Sequence, residues 1–444
     1  MTRAQRWFTH ILVLWMVGLV STSAFAQSRG DASTQPIELI VRPGGQRTLM
    51  PIAVPDASVS GSSSAIPDVG QLVRHTLRLS GFFEVLGPDR IYFDASREGM
   101  DAEGMNFRNW TNVGAQGVVR MDVRLAGGQA ALDFRLFDVV NGSQLPIKWS
   151  ARTVTVEGVR AEVYNFVNAV IEYYTGSPGP FGGRVAFAAR GRSGFKQIYT
   201  VGVDGHGLSA VTSGDTIHLL PSWGPGGQVM YTSYRDDNPD LWIGPTRSAR
   251  KLSAYDGINS GASLSPDGTE LAVTLSRDGN TEIYVLNTEG QILRRCTSSS
   301  AEDLSPTWSP DGSQIAFVSD RAGGPQIYVM NRDCSGTRRL TFRGTYNVSP
   351  DWSPDGSRIA FTGRANGRFD IFTVDPRSGS IERITQDQGS NLDPTWSPDG
   401  RYLIFASTRG GRGARLYLST ADGQFQNLIS DEISGVESPE WRRR

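Results

Sequence analysis

A pentapeptide returns at a fixed interval through the second half of the chain. Trp-Ser-Pro-Asp-Gly begins at Trp308, recurs 44 residues later at Trp352 and recurs again at Trp396. Leu264 and Trp223 begin two degenerate copies, and an apolar triplet follows every copy. A constant period of this size is typical of a repeat fold. The second half is therefore predicted to be an array of equivalent units.

Each unit is predicted to be four short antiparallel strands. In Ser-Pro-Asp-Gly the Pro fixes φ at the second turn position, while Asp and Gly suit the third and fourth, which predicts a type I turn. The apolar triplets are too short and too regularly bounded by turns to be helices. Such a sheet is apolar on both faces, and stacking units around an axis buries both. We expect the Trp residues in the core between neighbouring blades.

The number of apolar triplets predicts six blades. Residues 184–187 (RVAF) form a second strand that no inner strand precedes, and residues 439–441 (PEW) form an inner strand with no blade after it. Pairing these two completes one blade and closes the ring. We therefore predict an all-β six-bladed propeller of the WSPDG (PD40) type over residues 182–444, in which the C-terminal strand closes the first blade.

The segment before the propeller lacks the repeat and mixes helix with strand. Pro67 and Asp68 precede an apolar stripe at helical spacing, with Pro67 expected at the first helical position. Two alternating strands flank Gly127-Gly128, which predicts a hairpin. We predict a small α+β domain over residues 36–174, followed by a linker over residues 175–181.

The first residues have the pattern of a secretion signal. Arg3 and Arg6 precede a ten-residue apolar run, and residues 24–26 (AFA) form a cleavage pattern. An uncleaved membrane anchor is the alternative, but the run is shorter than the roughly 20 residues that a bilayer requires. We predict a signal peptide over residues 1–26, cleavage before Gln27, a flexible segment over residues 27–35 and a mature protein that does not span a membrane.

Charge and residue types exclude several function classes. Lys and Arg number 44 against 45 Asp and Glu, with no basic stripe, so we expect no nucleic-acid partner. The histidines outside the signal are scattered, which predicts no metal site and no cofactor. Cys296 and Cys334 lie in adjacent repeats, and the sequence leaves open whether they form a disulfide or two inert thiols.

An enzymatic function is the runner-up hypothesis. Propellers of this type also precede serine peptidase domains, but the chain has no Gly-x-Ser-x-Gly motif. A glycosidase requires paired carboxylates, and Asp303, Asp393 and Glu437 lie in predicted connections that face the channel. Acids in loops are usually solvated. A secreted hydrolase or lyase acting on a peptide or glycan therefore remains the alternative to a non-enzymatic binding protein.

The connections that enter the inner strands differ in sequence although the blade core repeats. In a propeller all six gather at one mouth of the central channel, where mixed apolar, amide and acidic residues suit a protein or peptide partner. The alternative is that they only close the fold. The candidate binding residues are His218, Leu219, Ile258, Asn259, Ser260, Leu304, Ser305, Tyr346, Asn347, Val348, Asn391, Leu392, Asp393 and Glu437.

The signal, the small α+β domain and the closed Pro-x-Trp-Ser-Pro-Asp-Gly array together resemble the TolB family of the Tol–Pal system. The resemblance implies a monomeric periplasmic adaptor without catalysis, which supports outer-membrane integrity and constriction at cell division. It implies that the lipoprotein Pal binds at the propeller mouth, with other outer-membrane proteins as further candidate partners. It also implies that TolA binds the N-terminal segment Pro36, Ile37, Glu38, Leu39, Ile40 and Val41.

Overall fold

The first half of the described chain folds around one mixed β-sheet. The computed structural model describes residues 48–61, 66–386, 388–411 and 413–443. The strands of this sheet are β1 (Met50–Ala53), β2 (Ser58–Ser60), β3 (Phe83–Leu86), β4 (Gly117–Ala126), β5 (Gln129–Asp138), β6 (Ser143–Gln144) and β7 (Arg152–Thr155). Their order is β3-β1-β4-β5-β6, with β2 beside β4 and β7 beside β5. The tight turn between β4 and β5 confirms the predicted Gly-Gly hairpin.

Three α-helices cover this sheet, namely α1 (Val69–Leu79), α2 (Phe107–Asn112) and α3 (Val159–Thr175). Short 3₁₀ turns span Pro88–Arg90, Ala95–Arg97, Val156–Gly158 and, in the propeller, Pro225–Gly227. The prediction of Pro67 at the first helical position was wrong. Asp68 is the N-cap, because its carboxylate accepts a hydrogen bond from the backbone N–H of Gln71 at 2.8 Å. Pro67 therefore lies outside the helix.

Six four-stranded antiparallel sheets form the second half. Each is written from the inner strand outward. They are blade 1, β31 (Glu437–Trp441), β8 (Arg184–Arg190), β9 (Lys196–Gly202) and β10 (Ser209–Ala210); blade 2, β11 (His218–Trp223), β12 (Val229–Ser233), β13 (Asp240–Ile243) and β14 (Arg250–Ser253); blade 3, β15 (Asn259–Leu264), β16 (Glu270–Leu275), β17 (Glu282–Asn287) and β18 (Ile292–Arg295); blade 4, β19 (Asp303–Trp308), β20 (Gln314–Ser319), β21 (Gln326–Asn331) and β22 (Arg338–Arg339); blade 5, β23 (Asn347–Trp352), β24 (Ile359–Ala365), β25 (Arg368–Val374) and β26 (Ile381–Arg383); blade 6, β27 (Asn391–Trp396), β28 (Tyr402–Ser407), β29 (Arg415–Thr420) and β30 (Gln426–Leu428).

The predicted propeller and its closure are confirmed. The inner strands contact one another in the order β31, β11, β15, β19, β23, β27 and back to β31, so the ring is complete. The last strand, β31, pairs with β8 through Trp441 and Val185. The Trp residues lie between blades as expected: Trp308 of blade 4 is buried against Ile283 and Val285 of blade 3.

The antiparallel order of each blade defines two ends of the ring. Every inner strand begins at the end we call the mouth and ends at the far end, where blades 3 to 6 have their Pro-Asp-Gly turns. The second strand returns to the mouth, so the hairpins between second and third strands, and the connections into the inner strands, both lie at the mouth. The hairpins between third and outer strands lie at the far end.

The α+β domain packs against blades 1 and 6 at the far end. One apolar cluster contains Phe166 of α3, Phe187 of blade 1 and Ile404 of blade 6. The hydroxyl of Tyr402, which lies next to a Pro-Asp-Gly turn, donates to the carbonyl oxygen of Ser80 at 3.2 Å. The mouth is therefore at the opposite end of the ring from the α+β domain.

A disulfide joins blades 3 and 4 near their outer edges. Cys296 follows the outer strand β18, Cys334 lies between β21 and β22, and their Cα atoms are 4.8 Å apart. This settles the question that the sequence left open.

Several predictions concern residues outside the described part of the chain. These are the signal peptide, the cleavage before Gln27, the flexible segment 27–35 and the segment 36–41. None of the helices in the described part has both the length and the apolar composition that crossing a bilayer requires.

Candidate functional site

The first candidate residues on each blade lie inside the inner strands. We expected Asn259, Asn347 and Asn391 in the connections that enter these strands, but each is the first residue of its strand and is fully buried. The Asn347 amide donates to the Gln326 side-chain oxygen at 2.8 Å and to the Arg343 carbonyl oxygen at 2.9 Å. Because such a buried amide must find partners within the fold, these side chains hold the connections in place.

The same position on blades 2 and 4 is also buried. His218 contacts the ring of Tyr231 edge-on, with 5.2 Å between centroids. Asp303, which begins the inner strand of blade 4, forms an ion pair with Arg321 at 2.7 Å. Burial, with a smaller contribution from the charge of Arg235, lowers the pKa of His218 to about 4, so the imidazole is neutral at pH 7.

The second position of the inner strands gives the mouth its apolar character. Leu304, Val348 and Leu392 are half-buried on three neighbouring blades, and we call them the apolar arc. Leu304 and Val348 pack against the core between blades 4 and 5. On the other three blades the second position is occupied by the buried Leu219, the buried Ser260 and the half-buried Glu437. The buried Ile258 precedes the inner strand of blade 3.

The third position is left-handed on every blade. Its six residues have φ between 48° and 62°, and each lies at a register shift in the pairing of its inner strand; they are Leu220, Gly261, Ser305, Ser349, Asp393 and Ser438. A bulge of this kind bends the strand and redirects its side chains. The backbone N–H of Ser305 on blade 4 donates a hydrogen bond to the hydroxyl of Thr274 on blade 3 at 3.2 Å. The bulges therefore also connect neighbouring blades.

The acids considered for a glycosidase have partners within the fold. The Asp393 carboxylate accepts from the Ser349 hydroxyl at 2.7 Å and from the Ser438 N–H at 3.0 Å. Glu437 forms an ion pair with Lys196. Burial raises the pKa of both carboxyls, and the bonds from their partners oppose this effect. Asp393 thus joins blades 5, 6 and 1, whereas the pair of Glu437 with Lys196 lies within blade 1.

Tyr346 lies at the base of the blade 5 hairpin, whose strands β24 and β25 stay paired furthest toward the mouth. Its ring contacts Phe369 edge-on with 5.6 Å between centroids, and its carbonyl oxygen accepts from the Arg364 N–H at 2.9 Å. Sequence reasoning missed Arg364 and Phe369, because it considered only the connections into the inner strands and not the hairpins beside them.

Within the described residues, no three His, Cys, Asp or Glu side chains are grouped so that they could hold a metal ion. The predicted TolA-binding segment, residues 36–41, lies outside those residues.

The two halves of the chain match two family models. A model described as the TolB beta propeller domain matches residues 171–443, and one described as the TolB amino-terminal domain matches residues 40–145. The chain belongs to the TolB family. This confirms the resemblance found in the sequence and places the chain among the proteins of the Tol–Pal system.

Similar proteins with the same family name support this assignment. The Tol-Pal system protein TolB of Anaeromyxobacter dehalogenans strain 2CP-C is 40% identical over 269 residues, which are 58% of this chain and 59% of the relative. That of Desulfosudis oleivorans is 37% identical over 257 residues, covering 56% and 58%. Both matches span less than two thirds of the TolB relative. The crystal structure of TolB from Acinetobacter baumannii has a TM-score of 0.76 at 25% identity and covers 89% of this chain and 97% of that one.

Proposed function

We propose that this protein is a non-enzymatic periplasmic adaptor of the Tol–Pal system. It binds the lipoprotein Pal at the propeller mouth and TolA through residues 36–41, and so supports outer-membrane integrity and constriction at cell division. In this proposal the signal peptide is cleaved before Gln27, and the monomer consists of the α+β domain, the linker 175–181 and the propeller.

The observation that supports Pal binding most directly is the apolar arc. Leu304, Val348 and Leu392 are half-buried in the free protein, at the end of the ring that the α+β domain leaves uncovered. Partial exposure of neighbouring apolar side chains within a polar rim is typical of the centre of a protein interface. The buried asparagines support this surface from below.

The enzymatic alternative is disfavoured by how the acids are used. Asp303, Asp393 and Glu437 are each bonded to a basic or hydroxyl side chain of the propeller itself. A general acid and base in a glycosidase must instead reach the substrate. A propeller hydrolase or lyase would need acids other than these three.

Calorimetry with the soluble domain of Pal from the same organism tests the proposed site. The variant is Leu304→Asp and the matched control is Leu293→Asp, since Leu293 is 51% exposed on the outer strand of blade 3. We expect binding to weaken at least about tenfold in the first variant and to change less than about twofold in the second. Thermal melts verify that both variants are folded.

The two negative outcomes have different meanings. Pal binding by a folded Leu304→Asp variant with wild-type affinity would exclude the apolar arc as the contact surface. No binding by the wild-type protein would overturn the adaptor function itself, and peptides and glycans would then be screened for turnover.

Deleting residues 36–41 tests the TolA part of the proposal. The deletion is expected to abolish TolA binding and to leave Pal binding unchanged, because the mouth lies at the end of the ring opposite the α+β domain. Unchanged TolA binding by the deleted protein would move the TolA site elsewhere.

A further inference from the structure

The two strands of the blade 5 hairpin stay paired further toward the mouth than those of the other blades. Strands β24 and β25 stay paired to Ala365 and Arg368, two residue pairs beyond the point where the blade 4 hairpin ends at Ser319 and Gln326. The turn is Asn366-Gly367, both left-handed, which matches a two-residue type I′ turn. At about 3.3 Å per residue, the paired part of the hairpin reaches roughly 7 Å further out.

This hairpin carries two arginines without acidic partners in the described chain. Arg364 and Arg368 are exposed, and no described carboxylate lies within ion-pair distance of either. Arg321 of the blade 4 hairpin, by contrast, pairs with Asp303. An unpaired guanidinium remains available for bidentate bonds to a carboxylate.

The hairpin is held at its base by a candidate binding residue. Phe369, next to Arg368, packs edge-on against Tyr346, and the backbone of Arg364 bonds to the same residue. The two guanidinium groups are thus presented from a paired strand rather than from a mobile loop, which lowers the entropy lost when a partner binds.

The opposite side of the mouth is acidic. Blade 2 lies three positions from blade 5 in a six-bladed ring, and its hairpin carries the exposed Asp236 and Asp237. Asp256 is exposed on the connection that follows blade 2. Lys251 pairs with Asp236, whereas Asp237 and Asp256 have no ion-pair partner among the described residues. Since Arg235 is also exposed on the blade 2 hairpin, that hairpin carries a net charge of −1 against +2 on the blade 5 hairpin, so charge changes sign across the channel.

We propose that the blade 5 hairpin is the electrostatic anchor for an acidic face of the protein that binds at the mouth. Carboxylates of that partner meet Arg364 and Arg368 beside the apolar arc, and the acids of blade 2 repel the same face. The partner consequently docks in one orientation. Charges at the rim of an interface act mainly on the association rate and on its salt dependence. This inference rests on the proposed Pal-binding function and adds the chemistry and orientation of the contact.

Association kinetics with the soluble domain of Pal test the anchor. The test variant is Arg364→Glu with Arg368→Glu. The control, Arg247→Glu with Arg250→Glu, makes the same charge change at exposed positions of the far end. At low salt we expect the association rate of the test variant to fall at least about tenfold, and that of the control to change less than about twofold. At 0.5 M salt the variants are expected to converge because screening shortens the range of the field.

Orientation is tested by photo-crosslinkers at Asn366 and at Asp237. The crosslinker at position 366 is expected to capture acidic partner peptides, and the one at position 237 to capture a different, non-acidic set. Equal capture of one set from both positions, or a test variant that associates like its control, would overturn the inference while Pal binding itself stands. Failure of the wild-type protein to bind Pal would overturn both this inference and the proposed function.

Discussion

The guanidinium group of Arg443 forms an ion pair with the carboxylate of Asp351, which joins the residues after the last strand to blade 5. The same group donates to the carbonyl oxygen of Trp352 at 2.7 Å. The last strand, β31, belongs to blade 1, and blade 6 lies between blades 1 and 5. This contact therefore bridges blade 6 and adds a second closure of the ring at the far end of the channel.

Removing this closure is expected to destabilise the propeller. Arg443→Ala leaves Asp351, whose side chain is only 10% exposed, without its cation. We expect a loss of about 1.5–3 kcal/mol in the free energy of unfolding, the range for hydrogen bonds to charged groups. Urea denaturation measures this loss. Arg442→Ala is the control, since Arg442 lies over Trp223 and has no acidic partner among the described residues; equal losses in the two variants would contradict a specific role for Arg443.

Glu440, next to this ion pair, is expected to make stability fall as pH rises. Burial and the nearby Asp351 raise the pKa of Glu440 to about 8, although Arg443 acts in the opposite direction. In the unfolded chain a Glu has a pKa of about 4.3, so between these values only the folded state holds the proton and stability decreases with pH. Thermal melts from pH 5 to 8 are expected to show a smaller decline in Glu440→Gln than in the exposed-site control Glu432→Gln. The same decline in both variants would contradict this assignment.

His218 is expected to give the opposite dependence in acid. Its folded pKa of about 4 lies below the ordinary value of 6.5, so the unfolded state binds the proton first and stability falls as pH decreases from about 6.5 to 4. Both ring nitrogens lack a hydrogen-bond partner in the described structure. His218→Asn introduces the residue found at this position on blades 3, 5 and 6. Urea midpoints at pH 7 and pH 4.5 are expected to differ less in this variant than in His206→Asn, which changes an exposed histidine.

The sequence was sufficient to predict the closed propeller but not which residues at its mouth are buried. The Pro-Asp-Gly turns and the Trp residues are local signals, and the match of residues 439–441 to an inner strand predicted the closure correctly. The burial of Asn347 and Asn391 could not be read this way, because a polar residue is buried only where distant groups satisfy it. In Asn347 these groups are Gln326 and Arg343.

The ring formed by the six left-handed residues at the third position of the inner strands could also not be predicted from the sequence. Only Gly261 of its six members is a residue that favours positive φ strongly, whereas Leu220 has no such preference. The signal that could have revealed the ring is its position, since on five blades the left-handed residue precedes the Pro of Pro-x-Trp. The extended hairpin of blade 5 did have a local signal, the dipeptide Asn366-Gly367.

The disulfide between blades 3 and 4 is expected to stabilise the fold without affecting the mouth. It closes a sequence separation of 38 residues, for which loop entropy predicts about 2–4 kcal/mol. Cys296→Ser with Cys334→Ser, or reduction of the wild-type protein, should lower the denaturation midpoint accordingly and leave Pal binding unchanged. The reductant should have no effect on the double variant; a midpoint that falls in that variant as well would show that the reductant acts on something other than this bond.

Asp393 has a carboxylate that accepts two hydrogen bonds and a backbone with positive φ. Two substitutions separate the effects of these two features on stability. Asp393→Ala removes the acceptor of the Ser349 hydroxyl and of the Ser438 N–H, which is expected to cost about 2–3 kcal/mol. Its φ of 52° is unfavourable for an alanine by about 1 kcal/mol but suits glycine. Asp393→Gly should therefore be more stable than Asp393→Ala and still less stable than the wild-type protein in urea denaturation. Because the carboxylate links blades 5, 6 and 1, both variants should also raise amide hydrogen exchange in the inner strands on either side. A glycine variant less stable than the alanine variant would contradict the left-handed conformation, and unchanged exchange would contradict the link.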